Sequence, residues 1–125
     1  MCEDRILIVD NNKAFCRLYE NNLSEVLSSK QVFTARNGME ALRQLASHPC
    51  GLIIADADSP KINRLKFIRV IHQQRPETQI LLMSIRDVET VEIQARNNHI
   101  PIDGCLNKTG LLIRLWECES RKIFD

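Results

Sequence analysis

The sequence lacks a large excess of either charge and any close pairing of its cysteines. Seventeen basic and sixteen acidic residues leave a formal charge of +1 at pH 7, so neither nucleic acid nor an anionic membrane is expected as the main partner. The cysteines are odd in number and show no Cys-x-x-Cys spacing; they stand at positions 2, 16, 50, 105 and 118. This arrangement indicates neither a zinc site nor a disulfide framework. It is typical of reduced thiols in a reducing compartment.

Long apolar runs are also missing from the sequence. The first residues, Met1 to Arg5, contain no basic region followed by an apolar stretch, so they do not predict a signal peptide. The longest apolar runs fall far short of the roughly 20 residues that a membrane-spanning helix needs. We therefore expect a cytoplasmic protein that does not cross a membrane.

What the sequence does contain is a regular alternation of short apolar runs and amphipathic stretches. The apolar runs predict strands at residues 6–9, 52–55 and 80–83. The β-branched Val32 and Thr34 predict a short strand at 31–35, and a weaker pattern predicts the last strand at 102–106. Apolar residues at helical spacing predict five helices, at 13–27, from Asn37-Gly38 to His48-Pro49, from Leu65 to Pro76, at 87–96 and at 111–122. In the last helix, Leu112, Leu115 and Trp116 are expected to face the core.

Five strand-helix units in succession predict an α/β fold. Strands that are apolar throughout are covered on both faces, which indicates a doubly wound parallel sheet between two layers of helices. No linker or low-complexity segment interrupts the pattern. We therefore expect a single domain over residues 1–125.

Polar residues stand where four of the apolar strands end: Asp10 with Asn11, Asp56, Ser84 and Lys108. In an open parallel sheet such strand ends converge on one edge, where function gathers. Crowded carboxylates repel each other, so a divalent cation such as Mg²⁺ is a natural neutraliser. An aspartate can attack phosphorus and form an aspartyl phosphate. A hydroxyl and an ammonium group can then bind the remaining phosphoryl oxygens.

At these residues the chain resembles the response-regulator receiver family of two-component signalling, over essentially its whole length. The resemblance is carried by residues 6–11 (ILIVDN), 35–42 (ARNGMEAL) and 52–60 (LIIADADSP), together with Ser84 and Lys108. It implies that Asp56 accepts a phosphoryl group from a histidine kinase or phosphotransfer protein. It further implies that Asp10 helps to hold Mg²⁺, that Ser84 senses the phosphoryl group and that Lys108 pairs with it. The implied fold is flavodoxin-like, with strand order 2-1-3-4-5.

The expected metal ligands are Asp10, Asn11 and Asp56, with Asp58 as a further acid at the rim of the site. Asn11 stands where the family usually has a second acid. Its amide oxygen can bind Mg²⁺ but adds no negative charge, so a reduced affinity for the metal is expected. Output is expected through protein contacts of the last two helices and the last strand. The partner would be a downstream protein, and a homodimer is also compatible with the sequence.

A degenerate receiver is the first alternative: an interaction module that binds partners without being phosphorylated. Three departures from the family pattern favour it. Asn11 replaces an acid, Ile85 follows the hydroxyl residue where the family has a small side chain, and Cys105 replaces the usual aromatic switch residue. Weak metal binding and a missing aromatic would reduce the population shift on which phosphoryl signalling depends.

A small phosphatase is the second alternative, because Asp56 and Asp58 form an Asp-x-Asp motif after an apolar strand. In the haloacid-dehalogenase-like phosphatases that this motif resembles, the first acid is the nucleophile and the second is the general acid and base. Those enzymes also need a late acidic pair, and after Lys108 the sequence offers only Glu117, Glu119 and Asp125. We therefore expect no enzymatic activity of the chain's own.

Overall fold

The computed structural model describes residues 4–27, 31–58 and 66–124. Strands and helices alternate along these residues, in the order β1 (Arg5–Val9), α1 (Lys13–Val26), β2 (Gln31–Ala35), α2 (Gly38–Ser47), β3 (Leu52–Asp56), α3 (Lys66–Gln74), β4 (Gln79–Ser84), α4 (Val88–Asn97), β5 (Gly104–Asn107) and α5 (Lys108–Phe124). The strands form one sheet of order β2-β1-β3-β4-β5, and every pairing in it is parallel. The predicted flavodoxin-like fold and strand order are confirmed.

The sheet separates two apolar cores, because successive side chains of a strand point to opposite faces. In β1, Ile6 and Ile8 belong to the core that also contains Tyr19 of α1 and Leu115 of α5. Leu7 and Val9 belong to the opposite core, to which α2, α3 and α4 contribute side chains. The four apolar residues of β1 are all buried, as expected for a central parallel strand covered on both faces.

Local capping fixes where three of the helices begin. The side chains of Asn12, Asn37 and Asp87 accept hydrogen bonds from the backbone N–H groups three residues on, at the starts of α1, α2 and α4. Such caps satisfy N–H groups that have no partner within the helix. As a result, Asn12 rather than Asp10 caps the first helix, and the side chain of Asp10 is available to the site.

The last strand and helix differ from the prediction in their bounds. β5 begins at Gly104 rather than 102, because the Asp103 side chain, and not a strand carbonyl, accepts the hydrogen bond from the Ile80 N–H. α5 begins directly at Lys108 rather than 111. The prediction that Ser59-Pro60 breaks the chain and that Leu65 lies on the third helix falls outside the described residues.

The prediction that Trp116 faces the core was wrong. Its side chain is 55% exposed, whereas Leu115 is fully buried. Neighbouring residues of a helix point about 100° apart, so Trp116 lies past the edge of the stripe that packs on the sheet. Among the described residues, no helix has the length and apolar character required to cross a membrane.

Candidate functional site

Lys108 joins two carboxylates at the carboxyl edge of the sheet. Its Nζ lies 3.0 Å from Asp10 Oδ2 and 3.1 Å from Asp56 Oδ2. Asp10 directly follows β1, Asp56 ends β3, and Lys108 follows β5 without an intervening loop. The fold therefore brings together three of the residues that the sequence singled out. The Lys108 ammonium also lies 4.9 Å from the centre of the Phe15 ring, a distance suited to a cation–π contact.

Asp10 is the most deeply buried acid of the site, with 2% of its surface exposed. Its Oδ1 accepts a hydrogen bond from the Asn12 N–H at 3.0 Å, and its Oδ2 accepts one from the Tyr19 hydroxyl at 2.7 Å. A buried carboxylate is tolerated only with such partners. Burial and the hydrogen bond to Asp10 both raise the pKa of Tyr19, which keeps the tyrosine a neutral donor.

Tyr19 is a site residue that the sequence did not predict, because it also fits the apolar pattern of α1. A buried tyrosine normally finds a hydrogen-bond partner for its hydroxyl. That rule was the available signal, but it does not say which partner, since Tyr19 and Asp10 belong to different elements.

Asp56 is less deeply buried than Asp10, and its Oδ1 accepts a hydrogen bond from the Asp58 N–H at 3.0 Å. Burial raises the pKa of Asp56, against the opposing effects of that hydrogen bond and of the Lys108 charge. Burial alone would lower the pKa of Lys108, but its hydrogen bond to Asp10 and the charges of both carboxylates outweigh burial and raise it. Lys108 is therefore held as a cation between the two acids.

A small cleft opens beside the two acids. It is lined by Val9, Asp10, Asn11, Arg36, Asn37, Gly38, Ala55, Asp56 and Phe67. A Cβ atom at Gly38 would lie 2.7 Å from a ring carbon of Phe67. Any larger residue at position 38 would therefore collide with the Phe67 ring that lines the cleft.

The donors around the cleft fit Mg²⁺, which takes one or two carboxylates and keeps several waters. Asp10 and Asp56 supply the carboxylates, and the exposed Asn11 supplies an amide oxygen. Within the described ranges, no group of three or more His, Cys, Asp and Glu side chains could hold a metal ion by itself. The cleft thus offers two carboxylates and leaves positions for water around a metal ion. The assignment of Asp10, Asn11, Asp56 and Asp58 as metal ligands stays a prediction.

Asp58 and Ser84 form a hydrogen bond with each other, and neither residue lines the cleft. The Ser84 hydroxyl donates a hydrogen bond to Asp58 Oδ1, and the Ile85 N–H donates to Asp58 Oδ2 at 2.7 Å. Arg86 adds an ion pair, with its Nε 3.5 Å from Asp58 Oδ1. Asp58 is therefore turned towards the segment between β4 and α4, and it is absent from the cleft lining.

Two of the departures from the family pattern take up distinct positions. The Ile85 side chain, which could have crowded the site, is 64% exposed and does not line the cleft. Cys105 is half-buried in β5 and packs against the core that contains α4. Arg86 was not anticipated from the sequence, because its partner Asp58 lies on another strand-helix unit.

Replacing Asp56 with asparagine is expected to stabilise the fold at neutral pH. The pKa of Asp56 is raised above its ordinary value of 3.8, so ionisation costs more in the folded chain than in the unfolded one. That cost is absent below pH 3.8 and develops as the pH rises through the raised pKa. Urea unfolding at a series of pH values should therefore show a stability gain for Asp56→Asn that shrinks on acidification. A gain that grows on acidification would contradict this prediction.

Comparison with known proteins agrees with the fold. The family model described as the response regulator receiver domain matches residues 6–116. That match takes in both acids, Ser84 and Lys108, and spans most of the chain. The chain belongs to the response regulator receiver domain family.

Individual relatives agree with this assignment. The chain is 31% identical over 85 residues to the alkaline phosphatase synthesis transcriptional regulatory protein PhoP of Bacillus subtilis, a match that covers 68% of this chain and 35% of the regulator's length. The signal receiver domain of an HD domain-containing protein from Pseudomonas fluorescens is 26% identical, with a TM-score of 0.66 and coverage of 98% of this chain and 99% of that one. The chemotaxis response regulator CheY4 of Vibrio cholerae is 21% identical, with a TM-score of 0.72 and coverage of 95% and 98%.

Proposed function

We propose that the chain accepts a phosphoryl group on Asp56 from the phosphohistidine of a histidine kinase or phosphotransfer protein, with the help of Mg²⁺. The observation that carries the proposal is the position of Asp56, whose Oδ2 lies 3.1 Å from Lys108 Nζ while its carboxylate also lines an accessible cleft. A carboxylate oxygen attacks phosphorus as the bond from phosphorus to the donor nitrogen breaks.

Each residue has a distinct part in this reaction. Lys108 balances the two carboxylates in the resting chain and offers N–H donors to the phosphoryl oxygens. Asp10 is fixed by Tyr19 and Asn12, so it presents its charge at a constant position. Asp10, Asn11 and Asp56 would hold Mg²⁺, which supplies neutralisation of the phosphoryl charge when bound.

The output of the domain, in this proposal, is a protein contact rather than catalysis on a separate substrate. α5 exposes Ile113 and Trp116, and α4 exposes Ile93, which offers an apolar contribution to a protein interface. The partner is a downstream protein or a second copy of the chain, in the cytoplasm. An enzymatic role for Asp58 is disfavoured, because both its carboxylate oxygens already accept hydrogen bonds from Ser84 and Ile85.

Phosphoryl transfer can be tested by incubating the chain with acetyl phosphate and Mg²⁺ and measuring its intact mass. We expect one phosphoryl adduct on the native chain and none on the Asp56→Asn variant. Asp87→Asn is the matched control, because Asp87 lies outside the cleft and asparagine also caps helices well. That variant should form the adduct as the native chain does. No adduct on the native chain, or an adduct that survives in Asp56→Asn, would contradict the proposal.

The degenerate receiver remains a second candidate, favoured by the hydrogen bond that already engages the Ser84 hydroxyl. A titration with beryllofluoride and Mg²⁺, followed by Trp116 fluorescence and NMR, separates the two functions. Saturable spectral changes support phosphoryl acceptance. Unchanged spectra at every concentration support an interaction module that works without phosphate.

A further inference from the structure

We propose that Asp58 is a positioning residue that holds Ser84 in a resting conformation and competes with the phosphoryl group for its hydroxyl. The proposal rests on the function proposed above, because it concerns the residue that would sense a phosphoryl group on Asp56. The Asp58 carboxylate is then neither a metal ligand nor a general acid. It accepts the hydrogen bond of the Ser84 hydroxyl until a phosphoryl oxygen on Asp56 replaces it as the acceptor.

The competition follows from the hydrogen-bonding capacity of a hydroxyl. Serine carries one O–H donor, and the Ser84 hydroxyl donates it to Asp58 Oδ1. The Ser84 oxygen also accepts a hydrogen bond from the Arg86 N–H at 2.9 Å, and Ser84 is fully buried. To donate to a phosphoryl oxygen, Ser84 must therefore release Asp58, and the two anions exclude each other at this donor.

Asp58 binds three consecutive residues, which makes it more than a partner of Ser84. Its Oδ2 accepts from the Ile85 N–H at 2.7 Å, and Arg86 Nε lies 3.5 Å from its Oδ1. The Arg86 guanidinium also donates to the Ala57 carbonyl at 3.2 Å and to Gln94 of α4 at 3.0 Å. One carboxylate thus joins the end of β3, the end of β4 and, through Arg86, the side of α4.

Movement of the Ser84 hydroxyl away from Asp58 would change more than one hydrogen bond, because the same oxygen accepts from the Arg86 N–H. Asp58 would retain Ile85 and Arg86, but the arrangement that ties the 84–86 segment together would lose its first member. Because Arg86 also contacts α4, a change at Ser84 reaches that helix without the aromatic residue that Cys105 replaces.

The test measures beryllofluoride affinity in the presence of Mg²⁺ for the native chain, Asp58→Ala, Ser84→Ala and the double variant. We expect Asp58→Ala to bind about tenfold more tightly, the order of one charge-assisted hydrogen bond. Removing any nearby negative charge also favours an anion, so the gain must be shown to need the hydroxyl. In the Ser84→Ala background the Asp58→Ala gain should disappear.

Two further variants make the result decisive. Glu89→Gln removes an exposed negative charge from the first turn of α4 and should leave the affinity unchanged. Asp58→Asn keeps the side-chain shape, and it serves if the alanine variant fails to fold; it too should bind more tightly. Equal affinity of the native chain and the Asp58 variants, or a gain that persists without Ser84, overturns the role of Asp58 while phosphoryl acceptance stands. Binding by none of the chains overturns both.

Discussion

Replacing Lys108 with methionine is expected to lower the free energy of unfolding by about 3–5 kcal/mol at neutral pH in a buffer with a metal chelator. The Lys108 side chain is only 6% exposed, and the side chains of its two partners, Asp10 and Asp56, are 0% and 11% exposed. The variant would leave two adjacent carboxylates in a poorly solvated site with no cation between them. Urea unfolding followed by circular dichroism measures the loss directly.

The matched control for this experiment is Lys122→Met. Lys122 forms an ion pair with Glu25 at 2.9 Å, but both side chains are well exposed, so its removal should cost no more than about 1 kcal/mol. The pKa of Lys108 is raised from its ordinary value of 10.5, so its contribution is complete below pH 10.5 and is lost as the pH rises through the raised value. Equal losses for both variants would mean that Lys108 does not balance the acids.

Truncation of Leu115 to alanine is expected to cost about 2–5 kcal/mol of unfolding free energy. Leu115 is fully buried in the core between α1, α5 and the sheet, where the removed carbon atoms leave a cavity. The measurement is again urea unfolding, with phosphoryl adduct formation as a second readout, since Leu115 does not line the cleft. We expect the surviving folded fraction to retain the reaction.

Trp116→Ala is the informative comparison on the same helix. It removes more atoms than Leu115→Ala, yet the exposed Trp116 should cost less than about 1 kcal/mol. A larger loss for Trp116 than for Leu115 would show that the two residues have been assigned to the wrong faces of α5. The pair therefore tests directly the position of Trp116, which the periodicity wrongly placed in the core.

The fold was predictable because hydrophobic periodicity and strand composition act locally. Ile6 to Val9 and Ile53 to Ala55 are apolar throughout, and short runs of this kind are typical of parallel strands buried on both faces. Bounds were less predictable, because they depend on distant partners. The start of β5 is set by Asp103 reaching the Ile80 N–H on another strand, and no pattern within residues 97–104 contains that information.

The positions of the site residues were predictable from the sequence, but the directions of their side chains were not. Strand ends placed Asp10, Asp56 and Lys108 at one edge, and the structure brings the three together. The direction of a side chain is set by local competition for hydrogen bonds, which spacing does not encode. The sequence allowed the Asp58 side chain to face either the cleft or the next strand. It contacts Ser84 and Arg86, which lie 26 and 28 positions further along the sequence.

The absence of a loop between β5 and Lys108 has a mechanical consequence. Asn107 is the last residue of the strand and Lys108 the first of a helix of 17 residues, so the backbone beneath the ammonium is anchored on both sides. Any large displacement of that cation must come from its side-chain torsions or from movement of the whole rod. Because α5 is held at its first residue, a small tilt of the helix at Lys108 displaces its far end, near Phe124, by a larger distance.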